Sequence, residues 1–535
     1  VSDAIVLVGL SGSGKSAVAA AVAERLHRPL VDLDAEIEAR EGAHPGALIE
    51  TRGEAAFRAV EAVAVERACA IDGAVIATGG GAVVDPLNRW ALWHAGTVVW
   101  LDAPDDVLIS RLAVHHEERP LLAGDATARI AAMRERRARF YRAADVRLDT
   151  TGGIGDVVEA IVSAVAVGRP ESRRLLDAEV RRDHLMGPET ARVVLGNEFD
   201  DVTLEDILAP ASSGMPVVVA DRRAAAALPR LMAALPAERQ ILFASGERQK
   251  RLRTVDKLLE AASAMGAERG DAWVGVGGGV TTDMVGAAAA LYVRGVNFVA
   301  VATTWLGMTD AAIGGKVAVN LSRAKNAAGA FWPPVAIIGD VATQRTLPRA
   351  RRLDGMAESL KSGVIGDPEL WRLVETRGRA ALRNDEAARY AIIDRSVQLK
   401  LDVVARDPYE RGERRALNLG HTLGHALEIE SGYRLPHGMA VVLGLRAVAH
   451  MAGGRGAEPG LAERIDTVVA NLGYELYRDF DSAVVKAALT TDKKRIRGRQ
   501  RWILPMAIGT VIDVDDITDA EFDAAIRAIT PEARP

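Results

Sequence analysis

The sequence predicts an α/β fold with parallel sheets. Short apolar runs such as Ala4-Ile5-Val6-Leu7-Val8, Val217-Val218-Val219-Ala220 and Trp273-Val274-Gly275-Val276 read as buried strands. Alanine-rich stretches of helical length separate them, and strands alternating with helices imply parallel pairing. Hydrophobic residues make up 49% of the chain but aromatics only 4%, so much of the apolar share is alanine and the cores are helix-rich. A length of 535 residues calls for two or three domains rather than one.

Charge and cysteine usage narrow the class. A net charge of −5 argues against a nucleic-acid partner. A single cysteine, Cys69, excludes an internal disulfide and fits a reducing compartment. The longest apolar run, Met284 to Val293, is stopped by Arg294 and is too short to span a bilayer. The chain opens on an apolar strand without a charged leader, so the expectation is a cytoplasmic protein.

The first strand leads into Gly9-Leu10-Ser11-Gly12-Ser13-Gly14-Lys15-Ser16 and then an alanine-rich helix. This is the complete G-x-x-x-x-G-K-S phosphate loop in its strand–loop–helix context. Gly12, Ser13 and Gly14 let backbone amides curl around phosphate oxygens, Lys15 reaches the outer phosphates, and the Ser16 hydroxyl sits on Mg²⁺. A flexible Gly-Ser loop would not need Lys-Ser at the helix start. Leu30-Val31-Asp32-Leu33-Asp34 reads as a strand end with Asp32 and Asp34 on one face, suited to a Mg²⁺ shell and a hydroxyl acceptor. Phe57-Arg58 and Glu61 follow on a helix, then Thr78-Gly79-Gly80-Gly81. Arg58 offers a fork for a carboxylate, although in isolation Arg58 and Glu61 read more simply as a surface pair.

With these motifs and Arg119-Pro120-Leu121-Leu122, residues 4 to 166 resemble shikimate kinase. The resemblance implies ATP as phosphoryl donor, Asp32 supporting Mg²⁺, and Asp34 binding the shikimate hydroxyls as candidate base. It implies that Arg58, Gly79, Gly80, Gly81 and Arg137 hold the substrate and that Arg119 belongs to a lid over ATP. The family's R-x-P-L-Y stands here as Arg137-Ala138-Arg139-Phe140-Tyr141, with Arg139 in place of proline.

Around Val167 to Arg174 glycine, proline and charge replace periodicity, which reads as a joint near 170 to 190. Beyond it, Asp221 ends one strand, and Trp273 to Gly277 runs into Gly278, Gly279, Val280 and Asp283. A strand ending in glycines before a helix brings backbone amides to a pyrophosphate. A tight turn would need no more, but Glu247, placed to hold ribose hydroxyls, and the pair Thr303-Thr304 add weight. Arg294, Asp310, Lys316, Asn320, Lys325 and Asn326 are poor core residues, the cations and amides among them are good anion ligands, and together they suggest a phosphorylated, carboxylated substrate.

The stretch Ala416 to Gly438 holds the histidines. His421 and His425 are four residues apart and share a helix face, and His437 sits between Pro436 and Gly438. A catalytic zinc site wants three protein ligands and an open position, and the best further donor is Glu358 in Ala357-Glu358-Ser359-Leu360-Lys361. A helix with two surface histidines is the plain alternative.

Residues 240 to 510 resemble 3-dehydroquinate synthase. The marks are G-E-x-x-K at Gly246 to Lys250, G-G-G-V-x-x-D at Gly277 to Asp283, and Y-x-R-G at Tyr292 to Gly295. They continue with T-D-A-A-I-G-G-K ending at Lys316, Lys325-Asn326, A-E-x-x-K at Ala357 to Lys361, Lys400, Glu410, Arg414, and the N-L-G-H-T-x-G-H helix with its H-G loop. The resemblance implies a divalent ion, Zn²⁺ or Co²⁺, held by Glu358, His421 and His437, with His425 handling protons although spacing alone would make it a ligand. It implies NAD⁺ bound by Asp221, Glu247, Lys250, Gly278, Gly279, Val280, Asp283, Thr303, Thr304, Asp310, Lys316, Lys325 and Asn326. Substrate contacts are Arg294, Asp310, Lys316, Asn326, Lys361, Lys400, Arg414, Asn418, His425 and a C-terminal lysine, Lys493 or Lys494. A phosphate-handling arginine comes from a partner subunit in that family, so a homodimer is expected. The family's acids at three motif positions are replaced by Ser245, Arg351 and Met439.

The full expectation is therefore α/β: a phosphate-loop kinase domain over 1–168, a linker over 169–189, an α/β NAD-binding domain over 190–347 and a mainly α-helical metal- and substrate-binding domain over 348–535. The implied chain carries two activities of aromatic amino-acid biosynthesis. Alternatives are a kinase fused to another sugar-phosphate cyclase, whose members commonly differ at Lys400 and His425, or to a metal-dependent alcohol dehydrogenase, which needs no phosphate cluster.

Overall fold

In the first part of the chain the strands run in the order Leu30–Asp32, Val75–Ala77, Ala4–Val8, Gly96–Asp102, Val146–Asp149, all parallel. The central strand Ala4–Val8 is buried along its whole length, because helices cover both faces of such a sheet. Ile5, Leu7, Val75, Val99 and Leu101 pack against Val18 and Val22 of the helix Lys15–Leu26 and Val157 and Ile161 of the helix Ile154–Ala166. The helix Lys15–Leu26 starts at Gly14, whose φ of 90° only glycine adopts easily.

This computed structural model describes residues 3–113, 125–168, 172–182, 190–199, 201–322, 324–490 and 500–531. The chain divides into one unit of Val1–Glu179 with Arg192–Thr203 and a second of Val180–Ala191 with Leu204–Pro535. Within the stretch 169–189 expected as a linker, Arg173–Arg181 forms a strand.

In the second unit five parallel strands lie in the order Ala336–Asp340, Phe298–Ala302, Trp273–Gly277, Val217–Asp221, Gln240–Phe243. The chain leaves Val217–Asp221 in one direction and returns on its other side at Trp273–Gly277. That reversal opens a crevice at the carboxyl ends of the two strands, where Asp221 and Gly278 stand, and open α/β sheets bind ligands at such places.

Beyond Thr346 the unit is mainly helical: Arg349–Gly366, Pro368–Ala381, Glu386–Arg406, His421–Glu430, His437–Gly453, Leu461–Leu472, Ser482–Thr490 and Asp519–Ile529, with a two-stranded antiparallel ribbon at Trp502–Ala507 and Thr510–Val514. Arg349–Gly366 is buried without a break from Asp354 to Ile365, so it is a core helix, and its polar residues Glu358 and Lys361 must find partners inside.

Candidate active sites

The phosphate loop folds as its glycines require. Gly9 has φ 148°, and a Cβ there would stand 2.3 Å from the Leu101 carbonyl oxygen. Lys15 Nζ donates to the carbonyls of Gly9 at 3.0 Å and Leu10 at 2.9 Å, which arches the side chain over the loop. Gly12 and Gly14 are left-handed, Ser13 is buried and Ser16 is exposed at the start of the helix.

Asp32 and Asp34 are not alternate residues of one strand. The strand ends at Asp32, whose Oδ1 caps the next helix by accepting from the Asp34 and Ala35 amides, and Asp34 lies in that helix's first turn. Capping is the reason: an aspartate before Leu33 satisfies two orphan N–H groups and starts the helix early. Asp34 still reaches the glycine turn, because a Cβ on Gly79 would lie 2.8 Å from its Oδ1 and 3.2 Å from Glu61 Oε1. Arg58 donates to Glu61 at 2.7 Å, and Glu61 is 2% exposed, so the pair is not a surface ornament. Burial raises the Glu61 pKa, with Arg58 opposing. Arg137 Nη1 donates to the Gly80 carbonyl at 2.8 Å and Tyr141 Oη to the same oxygen at 2.6 Å. The three glycines thus form a floor edged by Asp34, Glu61, Arg58 and Arg137, with two carboxylates facing two guanidiniums.

Sequence reasoning missed two residues here. Arg111 donates to the carbonyl of Thr150 at 2.5 Å and to that of Gly12 at 3.5 Å, which pins the phosphate loop to the strand end at Asp149. Tyr141 supports the glycine turn. Nothing in the local sequence around Arg111 marks it, whereas Tyr141 closes the R-x-x-x-Y run. Arg119 lies outside the described residues.

In the second unit Gly278 caps the helix Gly279–Leu291 and presents its free amides, including that of Val280, at the crevice. Side chains on Gly277, Gly278 and Gly279 would strike Thr281, Thr304 and Ala311 at 2.5, 2.9 and 2.7 Å, so the turn has no room for anything but glycine. Thr303 donates its amide to Gly277. Asp221 accepts from the Arg223 and Ala224 amides and from the Ser245 amide at 2.8 Å, so Ser245 is tied to the same carboxylate. Lys250 is buried, ion-paired with Asp283, and donates to Asn326 Oδ1 at 2.6 Å. Burial pushes Asp283 up to about 6 against the pull of Lys250. Glu247 accepts from Asn320 at 2.7 Å and lies 3.9 Å from Lys325 Nζ.

A polar cluster extends from there into the helices. Asp310, on a π-helical turn, pairs with buried Lys400. Lys316 pairs with Glu410, which also accepts from Asn418 at 2.6 Å. Arg414 donates to the Gly314 carbonyl at 3.0 Å. Arg294 is not drawn in: it sits exposed on a turn where Val293 and Arg294 have φ of 40° and 70°, and among the described residues it pairs with none of this set. Lys493 and Lys494 lie outside the described residues.

Glycines also bring the histidines together. A Cβ on Gly444 would stand 2.0 Å from the Gly420 carbonyl oxygen, and one on Gly424 2.9 Å from that of Ala440, so the helices His421–Glu430 and His437–Gly453 nearly touch by backbone. Gly438 lies against the helix that carries Glu358: its Cβ would be 2.5 Å from Asp354 Cα, and its amide donates to Asp354 Oδ1 at 3.1 Å. Three donor atoms converge as a result. Glu358 Oε1 is 3.4 Å from His421 Nε2 and 3.3 Å from His437 Nε2. His421 Nδ1 faces the Leu419 carbonyl at 3.1 Å, an acceptor only, so in the neutral ring Nδ1 carries the hydrogen and Nε2 has the lone pair that a metal ion needs.

These residues fit a divalent cation. Bonds of ~2.0–2.1 Å in a tetrahedron place neighbouring ligand atoms about 3.3 Å apart. Both Glu358 oxygens are buried without a well-formed hydrogen bond, although Lys361 Nζ lies 2.5 Å from Oε2. Burial opposes ionisation of Glu358, but Lys361 and His421 outweigh it and hold the carboxyl well below its usual range. His425 stacks beside His437 with ring centroids 6.2 Å apart and belongs to a second donor group with Glu428 and His437. Glu428, which the sequence reading passed over, is buried, lies 2.8 Å from Lys325 Nζ and 3.4 Å from His437 Nδ1, and despite burial is held down to about 2 by those two neighbours.

A phosphate-loop phosphotransferase and a sugar-phosphate cyclase, joined in one chain, are the classes that these folds and sites define. Comparisons with known proteins agree. The family description for shikimate kinase matches residues 11–166, and those for the N-terminal and C-terminal parts of 3-dehydroquinate synthase match 240–354 and 355–495. The chain is 33% identical over 449 residues to the bifunctional shikimate kinase/3-dehydroquinate synthase of Thermotoga maritima, covering 82% of this chain and 83% of that protein. It is 39% identical over 290 residues to the 3-dehydroquinate synthase of Xanthomonas campestris pv. campestris, covering 52% of this chain and 78% of the relative. Among solved structures, 2-epi-5-epi-valiolone synthase from Streptomyces hygroscopicus with NAD⁺ and Zn²⁺ bound aligns at 29% identity and TM-score 0.59, covering 65% of this chain and 98% of that one. The chain belongs to the bifunctional shikimate kinase/3-dehydroquinate synthase family, and its activities are those two steps of the shikimate pathway. Among the described residues no helix is long and apolar enough to cross a membrane.

Proposed function

We propose that the first unit transfers the outer phosphoryl group of Mg²⁺-ATP to a shikimate hydroxyl. Lys15 and the loop amides hold the phosphates, and Ser16 and Asp32 carry Mg²⁺ with its water shell. Asp34 takes the hydroxyl proton. Arg58 and Arg137 bind the shikimate carboxylate over the floor of Gly79, Gly80 and Gly81, a bidentate task for which guanidinium is suited. Arg119 belongs to the closing lid.

The second unit converts 3-deoxy-D-arabino-heptulosonate 7-phosphate to 3-dehydroquinate and phosphate. The observation that carries this reading is the convergence of Glu358, His421 and His437, with Glu428 and Lys325 linking that cluster to Glu247. Glu358, His421 and His437 would hold a divalent ion, Zn²⁺ or Co²⁺, which would supply Lewis acidity toward a substrate oxygen, and bound NAD⁺ would supply a reversible hydride acceptor. The amides of Gly278, Gly279 and Val280 would hold the dinucleotide's pyrophosphate, Glu247 a ribose, and Asp221, Lys250, Asp283, Thr303, Thr304 and Lys325 the rest of it. Lys316, Asn326 and the C-terminal lysine, Lys493 or Lys494, hold the substrate phosphate. Asp310, Lys361, Lys400, Arg414 and Asn418 hold its carboxylate and hydroxyls, and His425 moves a proton. Arg294, exposed and outside this cluster, serves the phosphate of a second copy, which makes the working form a homodimer. A reducing cytoplasm suits the single Cys69.

Two assays on point variants of the full chain test the assignment. Lys15→Met removes shikimate phosphorylation by about 10²–10³-fold and spares phosphate release from the heptulosonate substrate; Glu358→Gln does the reverse. A variant that silences both at once would refute the division of labour.

A further inference from the structure

Behind the metal centre stands a carboxylate that the ligand set does not use. Glu428 lies seven residues after His421, on the buried side of the same helix, with its side chain 4% exposed. One oxygen, Oε1, meets Lys325 Nζ at 2.8 Å and stands 3.4 Å from His437 Nδ1, close enough to act on that ring through its charge although no well-formed hydrogen bond joins them. The His437 ring therefore has a carboxylate on each side, since Glu358 Oε1 stands 3.3 Å from its Nε2. A neutral imidazole carries one hydrogen. An anion on the Nδ1 side keeps it there and turns the Nε2 lone pair toward Glu358. His421 is oriented in the same sense by the Leu419 carbonyl. The two ligand imidazoles are thus set by different acceptors, one neutral and one charged.

We propose that Glu428 is a positioning residue of the synthase: it fixes the tautomer and ring orientation of His437, and through Lys325 it anchors that ligand to the wall that carries Glu247. The inference rests on the reading of Glu358, His421 and His437 as the metal ligands. A simple buried ion pair with Lys325 would leave His437 indifferent to Glu428. A second cation among His425, Glu428 and His437, whose donor atoms lie within 4.8 Å of one another, is disfavoured by the ammonium already at Glu428 Oε1 and by the need to strip both hydrogens from His437.

The test is zinc affinity of the full chain, read by competition with a chromophoric chelator after stripping and reloading. Wild type is compared with Glu428→Gln, Glu428→Asp and His437→Ala. Thermal unfolding of the same molecules reports that the synthase unit of each variant is folded, and shikimate phosphorylation reports the same of the kinase unit. Glu428→Gln weakens zinc binding about 10–100-fold and alters the visible spectrum of the cobalt-loaded chain, with kinase activity unchanged. Glu428→Asp, which keeps the charge, recovers part of the loss. Zinc affinity of Glu428→Gln within about threefold of wild type, or an aspartate variant no better than the glutamine one, overturns the proposal while the ligand set stands. Unchanged affinity in His437→Ala overturns the ligand set itself and this proposal with it. Two zinc ions per wild-type chain, falling to one in Glu428→Gln, assigns Glu428 as a ligand and also overturns it.

Discussion

His437 Nε2 lies 3.3 Å from Glu358 Oε1, in a geometry too loose for a good hydrogen bond and matched to two ligands of one small cation. The first residue belongs to the start of one helix and the second to the middle of another, and the contact depends on how closely those helices approach.

That approach is set by Gly438. An added methyl would meet Asp354 Cα at 2.5 Å, a backbone contact that no rotamer change relieves. Gly438→Ala should lower stability of the synthase unit by about 1–3 kcal/mol and displace His437. Zinc content should fall, while the kinase rate stays. Thermal unfolding and elemental analysis of the variant check both halves of that expectation.

Zinc binding should depend on pH in a defined direction. In the metal-free chain burial alone would lower the His437 pKa, but Glu358 and Glu428 raise it to about 9 from an ordinary 6.5. The protonated ring therefore contributes to folding in full below about 6.5, and that contribution is lost as pH rises through about 9. A metal ion must displace the same proton. Apparent zinc affinity should rise roughly tenfold per unit from pH ~7 to ~9 and then flatten, as chelator competition across that range would show.

In the kinase unit, a Cβ on Gly81 would lie 2.7 Å from both terminal nitrogens of Arg58. The side chain can swing away, so Gly81→Ala should fold. The swing takes the guanidinium from the substrate floor. KM for shikimate should rise about tenfold, equivalent to about 1.4 kcal/mol, with KM for ATP nearly unchanged. Steady-state kinetics with each substrate varied separates the two.

Much of this was legible because motifs concentrate the chemistry. Gly12 to Ser16 specify a loop whose geometry is local, and the motifs around His421 and His437 mark the metal ligands, whereas the close helix contacts at Gly420, Gly424 and Gly438 show only in the structure. Where the reading slipped, capping or tertiary contact decided. Asp34 alternates with Asp32 on paper, yet Asp32 caps the next helix through its Oδ1, so the strand ends two residues sooner. Glu428 looks like an ordinary glutamate in His421–Glu430; only the approach of Lys325 and His437, distant in sequence, gives it a role. Arg111 likewise acquires meaning from Thr150 and Gly12. Arg294 reads as part of the anion-binding set by its charge, yet the turn at Val293 and Arg294 leaves it exposed, and it pairs with none of that set among the described residues.

Metal analysis of the purified full chain beside His421→Ala tests the central claim most directly. About one zinc or cobalt ion per wild-type chain, and almost none in the variant while shikimate is still phosphorylated, is the result expected. Equal metal in the two proteins would contradict the site built on Glu358, His421 and His437.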